Sequence, residues 1–203
     1  MVDRPRRHHV YVGGRFPCEV KRILRLVRMI YIVGQPGSGK STLMAKVTEG
    51  LPRVPQDAPV PHDLLVSPVS GAVVGAEIGR RRGVFSGTDA LASDVIERAV
   101  PWVKTGPYDL LLGEGARLGV ARFIRAASVR YAVTLVVLEH DNSEQWRAAR
   151  SARIGKVQNE AWVKGRRTAS LNLAAALRDK VEIIVGHPDH VYSDIAARFR
   201  DVT

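Results

Sequence analysis

Cysteine, acidic charge and long apolar runs are all scarce in this chain, and each shortage closes off a class of protein. Cys18 is the one cysteine among 203 residues, so no internal disulfide can staple the fold and a reducing, cytoplasmic setting is the simpler expectation. No apolar run approaches the roughly 18 residues that a membrane helix needs. The most apolar early stretch, 23–33, is cut by Arg25 and Arg28, so neither a membrane partner nor a secretory leader is expected. With 45% apolar residues the chain can bury a core unaided, as one domain with decorations. Internal repeats and low-complexity segments are absent.

Acidic residues number 20 against 31 lysines and arginines, a net charge of +11. The excess is local: residues 1–28 carry +6 and residues 143–170 carry +5. Charge of one sign held in two places suits a polyanion, either nucleic acid or a phosphorylated ligand. A solvated basic surface explains it equally well.

Hydropathy patterning predicts alternating strands and helices. Strands are expected at 29–33, 63–66, 72–78, 109–113, 131–138 and 181–185, and helices at 40–49, from 89, 120–128, 143–153, 169–178 and 192–199. Thr88 and Ser143 are the expected caps of two of these helices. Five prolines between 50 and 70 predict a loop around the short strand at 63–66. The alternation predicts a three-layer α/β domain with a mostly parallel sheet.

Gly34-Gln35-Pro36-Gly37-Ser38-Gly39-Lys40-Ser41-Thr42 contains G-x-x-x-x-G-K-[ST] between a predicted strand and a predicted helix, the setting that makes the motif specific. Glycines let successive amides face one phosphate, and the helix start adds unpaired N–H groups and its positive dipole end. Gly34, Gly37, Ser38, Gly39, Lys40, Ser41 and Thr42 are therefore candidate nucleotide-binding residues. Lys40 is placed to reach the β- and γ-phosphates and Ser41 to ligate Mg²⁺. Glu114 ends the apolar run Leu110-Leu111-Leu112 and is the candidate second acidic group at the Mg²⁺, although a turn acid between Gly113 and Gly115 is the plainer reading.

An Asn-Lys-x-Asp base-recognition motif is missing, which argues against a GTPase. A short P-loop domain followed by an arginine-rich helix suggests instead a nucleoside or nucleotide kinase-like protein. Arg147, Arg150 and Arg153 recur every three residues within a lid expected at about 143–168. The domain is expected to span 29–203, with 1–28 as a basic N-terminal extension that either grips a partner or is dispensable.

Three further segments sharpen this: Phe85-Ser86-Gly87-Thr88-Asp89-Ala90-Leu91, Gly113-Glu114-Gly115-Ala116-Arg117-Leu118, and Gln158-Asn159-Glu160-Ala161-Trp162-Val163-Lys164-Gly165-Arg166-Arg167-Thr168. Together with the P-loop they resemble the atypical P-loop kinases of bacteriophages that phosphorylate hydroxymethyluracil in DNA. The resemblance implies ATP-dependent, Mg²⁺-dependent transfer of a γ-phosphate to a base hydroxymethyl group, with DNA containing a modified pyrimidine as partner. Read chemically beside it, Asp89 is the candidate general base at a helix start. Arg166 and Arg167 follow Gly165, a hinge from which they would close over the phosphates. Trp162 is either a stacking surface for a base or a packing residue. Kinases of a free nucleotide or small metabolite, and a nucleotide-gated binding module, fit the same motifs.

Overall fold

Met29 to Val33 and Leu110 to Leu112 are apolar on both strand faces, the pattern of strands covered on both sides, and both lie at the centre of the sheet. The computed structural model of the chain describes residues 27–81, 86–155 and 159–200. The basic extension up to residue 26, Phe85 and Gln158 lie outside the described residues.

Nine strands are described: β1 (Arg28–Gly34), β2 (Arg53–Gln56), β3 (His62–Val66), β4 (Val73–Ile78), β5 (Arg80–Arg81), β6 (Ser86–Gly87), β7 (Leu110–Glu114), β8 (Ala132–Leu138) and β9 (Glu182–Gly186). The helices are α1 (Lys40–Val47), α2 (Val95–Lys104), α3 (Ala121–Ala127), α4 (Ser143–Ile154), α5 (Glu160–Leu177) and α6 (Pro188–Arg200). One sheet runs β2-β3-β4-β7-β1-β8-β9, and β5 and β6 form a separate ribbon. Strands β4, β7, β1, β8 and β9 are mutually parallel, while β3 runs antiparallel to both its neighbours. The chain crosses β1 to pass from β7 to β8, so the carboxyl end of β1 is the switch point at which open α/β sheets bind ligands.

Alternation along β1 divides the core. Met29, Tyr31 and Val33 pack with α2, α3 and α5 on one face; Ile30 and Ile32 pack with α1 and α6 on the other. The three-layer α/β architecture expected from the sequence is the one observed.

Four local expectations are corrected. β2 lies where only loop was expected, because Pro55 occupies the outermost strand, where a missing N–H costs no ladder bond. Arg53 anchors that strand, reaching Glu77 at 2.5 Å, Thr48 at 2.7 Å and Asp63 at 3.3 Å. Thr88 does not cap a helix; it opens a single 3-10 turn, Thr88–Ala90, after which Leu91 is extended and α2 begins only at Val95. Ser143 spends its hydroxyl on the His140 carbonyl at 2.8 Å, and Asn142 stands at the α4 start with no side-chain cap bond. α5 begins nine residues before the expected 169, at Glu160, because the Asn159 side chain caps it by accepting from the Trp162 amide at 3.1 Å. Gly165 is thus inside a helix rather than a hinge, at the usual cost of about 1 kcal/mol.

Candidate functional site

The loop between β1 and α1 wraps the start of α1. Gly37 adopts a left-handed φ of 83°, and a Cβ there would stand 2.7–2.9 Å from the backbone and Cβ of Arg147. Glycine is therefore required both for the turn and for the close approach of α4, which lies over the loop. A Cβ on Gly39 would meet Pro188 at 3.0 Å and Trp146 at 3.1 Å. Here α4 and the start of α6 press on the loop from outside. Ser38 is fully buried, and its hydroxyl has no hydrogen-bond partner among the described residues.

Lys40 is turned back into the loop, donating to the carbonyls of Gly34 at 3.0 Å and Gln35 at 2.9 Å. Burial lowers its ammonium from the ordinary lysine range; the charges of Glu114 and Asp89 oppose that shift, and Arg150 adds to it. A half-buried ammonium resting on neutral carbonyls is a site built for an anion. Glu114 is 2% exposed at the end of β7 and accepts from the Ser41 hydroxyl at 2.8 Å. A hydroxyl and a carboxylate oxygen joined in this way are the hard ligands that Mg²⁺ takes, so the residues present fit both a nucleotide triphosphate and its metal.

Asp89 stands on the far side of Glu114. Its Oδ1 accepts from the amides of Ala116 at 2.7 Å and Arg117 at 3.1 Å, and its Oδ2 has no hydrogen-bond partner among the described residues. The 3-10 turn that carries it is pressed on the β7 corner: a Cβ on Gly87 would fall 2.5 Å from Glu114 Oε1.

The structure thus brings together Gly34, Gly37, Ser38, Gly39, Lys40, Ser41, Glu114 and Asp89. Arg150 reaches the loop from α4: a cleft of about 560 Å³ is lined by Gly37, Gly39, Lys40, Ser41, Thr42, Trp146, Ala149 and Arg150, and Glu114 and Asp89 stand outside that lining. The remaining arginines stand differently. The Arg153 side chain lies outside the described residues. Arg166 is half-buried on α5 and is not among the lining residues. Arg167, its neighbour, pairs with Glu139 beyond the end of β8. Trp162 is 48% exposed, so it is not a core residue.

One part of the site was not anticipated. Trp146 packs on His140 with ring centroids 4.6 Å apart and on His187 at 5.4 Å, and His140 meets the loop through Nε2, 3.2 Å from the Ser38 carbonyl. These residues come from α4, the β8–α4 link and the β9–α6 link. The available signal was the Trp146–Arg150 spacing, which places both on one face of α4.

No helix among the described residues is long and apolar enough to cross a membrane. No curated protein matches the chain. A strand, a glycine loop closed on its lysine, and a carboxylate bonded to the loop hydroxyl make up a nucleotide-binding P-loop, and the chain matches the model described as P-loop Nucleotide Kinase3 over residues 25–198, so it belongs to that P-loop nucleotide kinase family.

Proposed function

We propose that the chain is an ATP- and Mg²⁺-dependent kinase that moves the γ-phosphate to the hydroxymethyl group of hydroxymethyluracil in DNA. The observation that carries the phosphotransfer part is the convergence of Lys40, Ser41, Glu114 and Asp89 where β1 and β7 end. The acceptor rests on the resemblance of the three segments quoted above. Both basic regions of the sequence would grip a polyanionic backbone.

Mg²⁺ would be held by Ser41 and Glu114, and when bound it neutralises phosphate charge. The chain's own residues have distinct tasks. Amides and glycines of the loop cradle the phosphates. Lys40 offsets the charge that spreads over the transferring group, the main catalytic need where the transition state is loose. Arg150, lining the cleft from α4, adds a second positive charge. Asp89 orients the acceptor hydroxyl and takes its proton as the new O–P bond forms and the bond to the departing ADP breaks. Two amides fix one carboxylate oxygen and leave Oδ2 for that proton. A base within a duplex would have to be flipped out for its hydroxymethyl group to reach Asp89.

The family's printed description favours one second reading, a free nucleotide as acceptor. Transfer of label from γ-labelled ATP tests both. The expected result is label on DNA containing hydroxymethyluracil and none on unmodified DNA. Label on the free nucleotide alone transfers the weight to the second reading, and label on neither acceptor rejects both.

A further inference from the structure

We propose that Tyr31 and Thr88 are positioning residues that hold the Asp89 turn against the Glu114 corner; the catalytic consequence rests on Asp89 being the general base, as above. Tyr31 is fully buried in the middle of β1, paired in register with Gly113 of β7. A Cβ on Gly113 would stand 2.7 and 2.8 Å from two carbons of the Tyr31 ring. The ring therefore crosses β7 through a slot that only glycine leaves open. Its hydroxyl emerges under the active corner, 2.9 Å from Thr88 Oγ1 and 3.2 Å from the Gly115 carbonyl.

Thr88 is also fully buried, and its hydroxyl donates to the Glu114 carbonyl at 2.9 Å. Two hydroxyl protons serve these bonds, beside a backbone hydrogen bond between Leu118 and the Tyr31 oxygen. Thr88 gives its proton to Glu114, so Tyr31 supplies the donor that Thr88 Oγ1 and the Gly115 carbonyl share. Burial raises the Tyr31 phenol well above its ordinary pKa, which keeps it a donor at every working pH.

The chain of bonds links three segments that are distant in sequence: the central strand, the turn carrying Asp89, and the corner carrying Glu114. Asp89 closes the ring from the other side by accepting from Ala116 and Arg117, the two residues after Gly115. Loss of either hydroxyl leaves a buried polar partner unsatisfied and frees the turn to shift. A shift of even 1 Å in a catalytic group costs about 10²-fold in rate.

The test needs Tyr31→Phe, Thr88→Val and Thr88→Ser, with amide hydrogen exchange at Ala116 and Arg117 followed by NMR in the absence of any substrate. Tyr31→Phe and Thr88→Val are expected to speed exchange at both amides about tenfold, as the bonds to Asp89 open more often. Thr88→Ser keeps the hydroxyl and is expected to match the wild type. In γ-phosphate transfer to hydroxymethyluracil DNA, the first two variants are expected to lose kcat with the KM for ATP unchanged. That loss should vanish in an Asp89→Asn background, because coupled sites are not additive. Unchanged exchange at both amides in Tyr31→Phe and Thr88→Val overturns the proposal, whatever the transfer rates. Faster exchange in those variants beside full transfer by Asp89→Asn keeps the positioning role and instead rejects Asp89 as the base.

Discussion

The site has two walls built in opposite ways, the loop that lines the cleft and the Asp89 corner beside it. On the phosphate side, Gly34 to Thr42 is one unbroken stretch, and Lys40 finds its hydrogen-bond acceptors five and six residues away, at Gln35 and Gly34. On the Asp89 side, the side-chain hydrogen bonds are all longer in reach. Asp89 reaches amides 27 and 28 residues away, and Thr88 meets Tyr31 across 57 residues. A lysine whose acceptors are its own neighbours is set by the loop and the helix beside it, although Ser41 also reaches Glu114. A corner whose side-chain partners come from three distant segments exists only after the sheet is in register. Damage to the first wall should remain local, whereas damage to the second should spread along the hydrogen bonds that assemble it.

The sharpest break in that contrast is Lys40→Ala. It removes the cation from the phosphate side, and the expected loss in kcat/KM is more than about 10³-fold, shared between nucleotide binding and transfer. Titration of a fluorescent ATP analogue should show the binding part directly. Asp89→Asn comes next. Nucleotide binding should be intact and kcat should fall about 10²-fold, near the low end for a general base because proton removal lags in a loose transition state. Weakened ATP binding in Asp89→Asn would mean that the two walls are one unit after all.

Gly87→Ala probes the assembly of the second wall. Gly87 has φ 65° and ψ −145°, and an added Cβ would fall 2.7 Å from the Glu114 carbonyl oxygen as well as on its carboxylate. The conformation belongs almost wholly to glycine, so about 1–3 kcal/mol of stability should go with it. Thermal unfolding gives that figure, and transfer assayed well below the midpoint should fall further than the stability loss explains, since the clash displaces Glu114 itself.

This contrast also explains what could be read in the sequence. The P-loop, Glu114 after its apolar run, and the α/β alternation are all carried by contiguous residues or simple periods. Each was legible. Strands of two residues carry no period, so the β5–β6 ribbon was invisible, and β2 was hidden by its prolines. The early start of α5 was masked by Gly165, which reads as a break although an 18-residue helix absorbs it. Tyr31 looked like one more apolar strand residue, because nothing local says that Gly113 lies beneath its ring. The histidines beside Trp146 likewise belong to separate segments, and only the folded sheet gathers them.

The smallest expected effect lies at the opposite end of the sheet and serves as the control for both walls. Glu182, at the start of β9, accepts from Arg198 at 3.0 Å and from Thr134 at 2.7 Å. The hydrogen bonds from Arg198 hold its carboxyl below the ordinary glutamate range, with Thr134 and the charges of Arg198 and Arg28 adding to the effect. A carboxylate whose pKa is depressed by folding stabilises the fold above the unfolded pKa, near 4.3, and loses that contribution as pH falls through the lower folded value. Because Glu182 is 47% exposed, solvent screens the pair and the contribution at neutral pH should be less than about 1 kcal/mol. Arg198→Ala should therefore lower the melting temperature slightly at pH 7, with the difference from wild type shrinking as the pH is brought below 4. Neither kcat nor the KM for ATP should move, because Glu182 opens β9 at the amino end of the parallel strands, while Lys40, Ser41, Glu114 and Asp89 gather at their carboxyl ends. A change in kcat in this variant would show that the far end of the sheet sets the register on which the Asp89 wall depends.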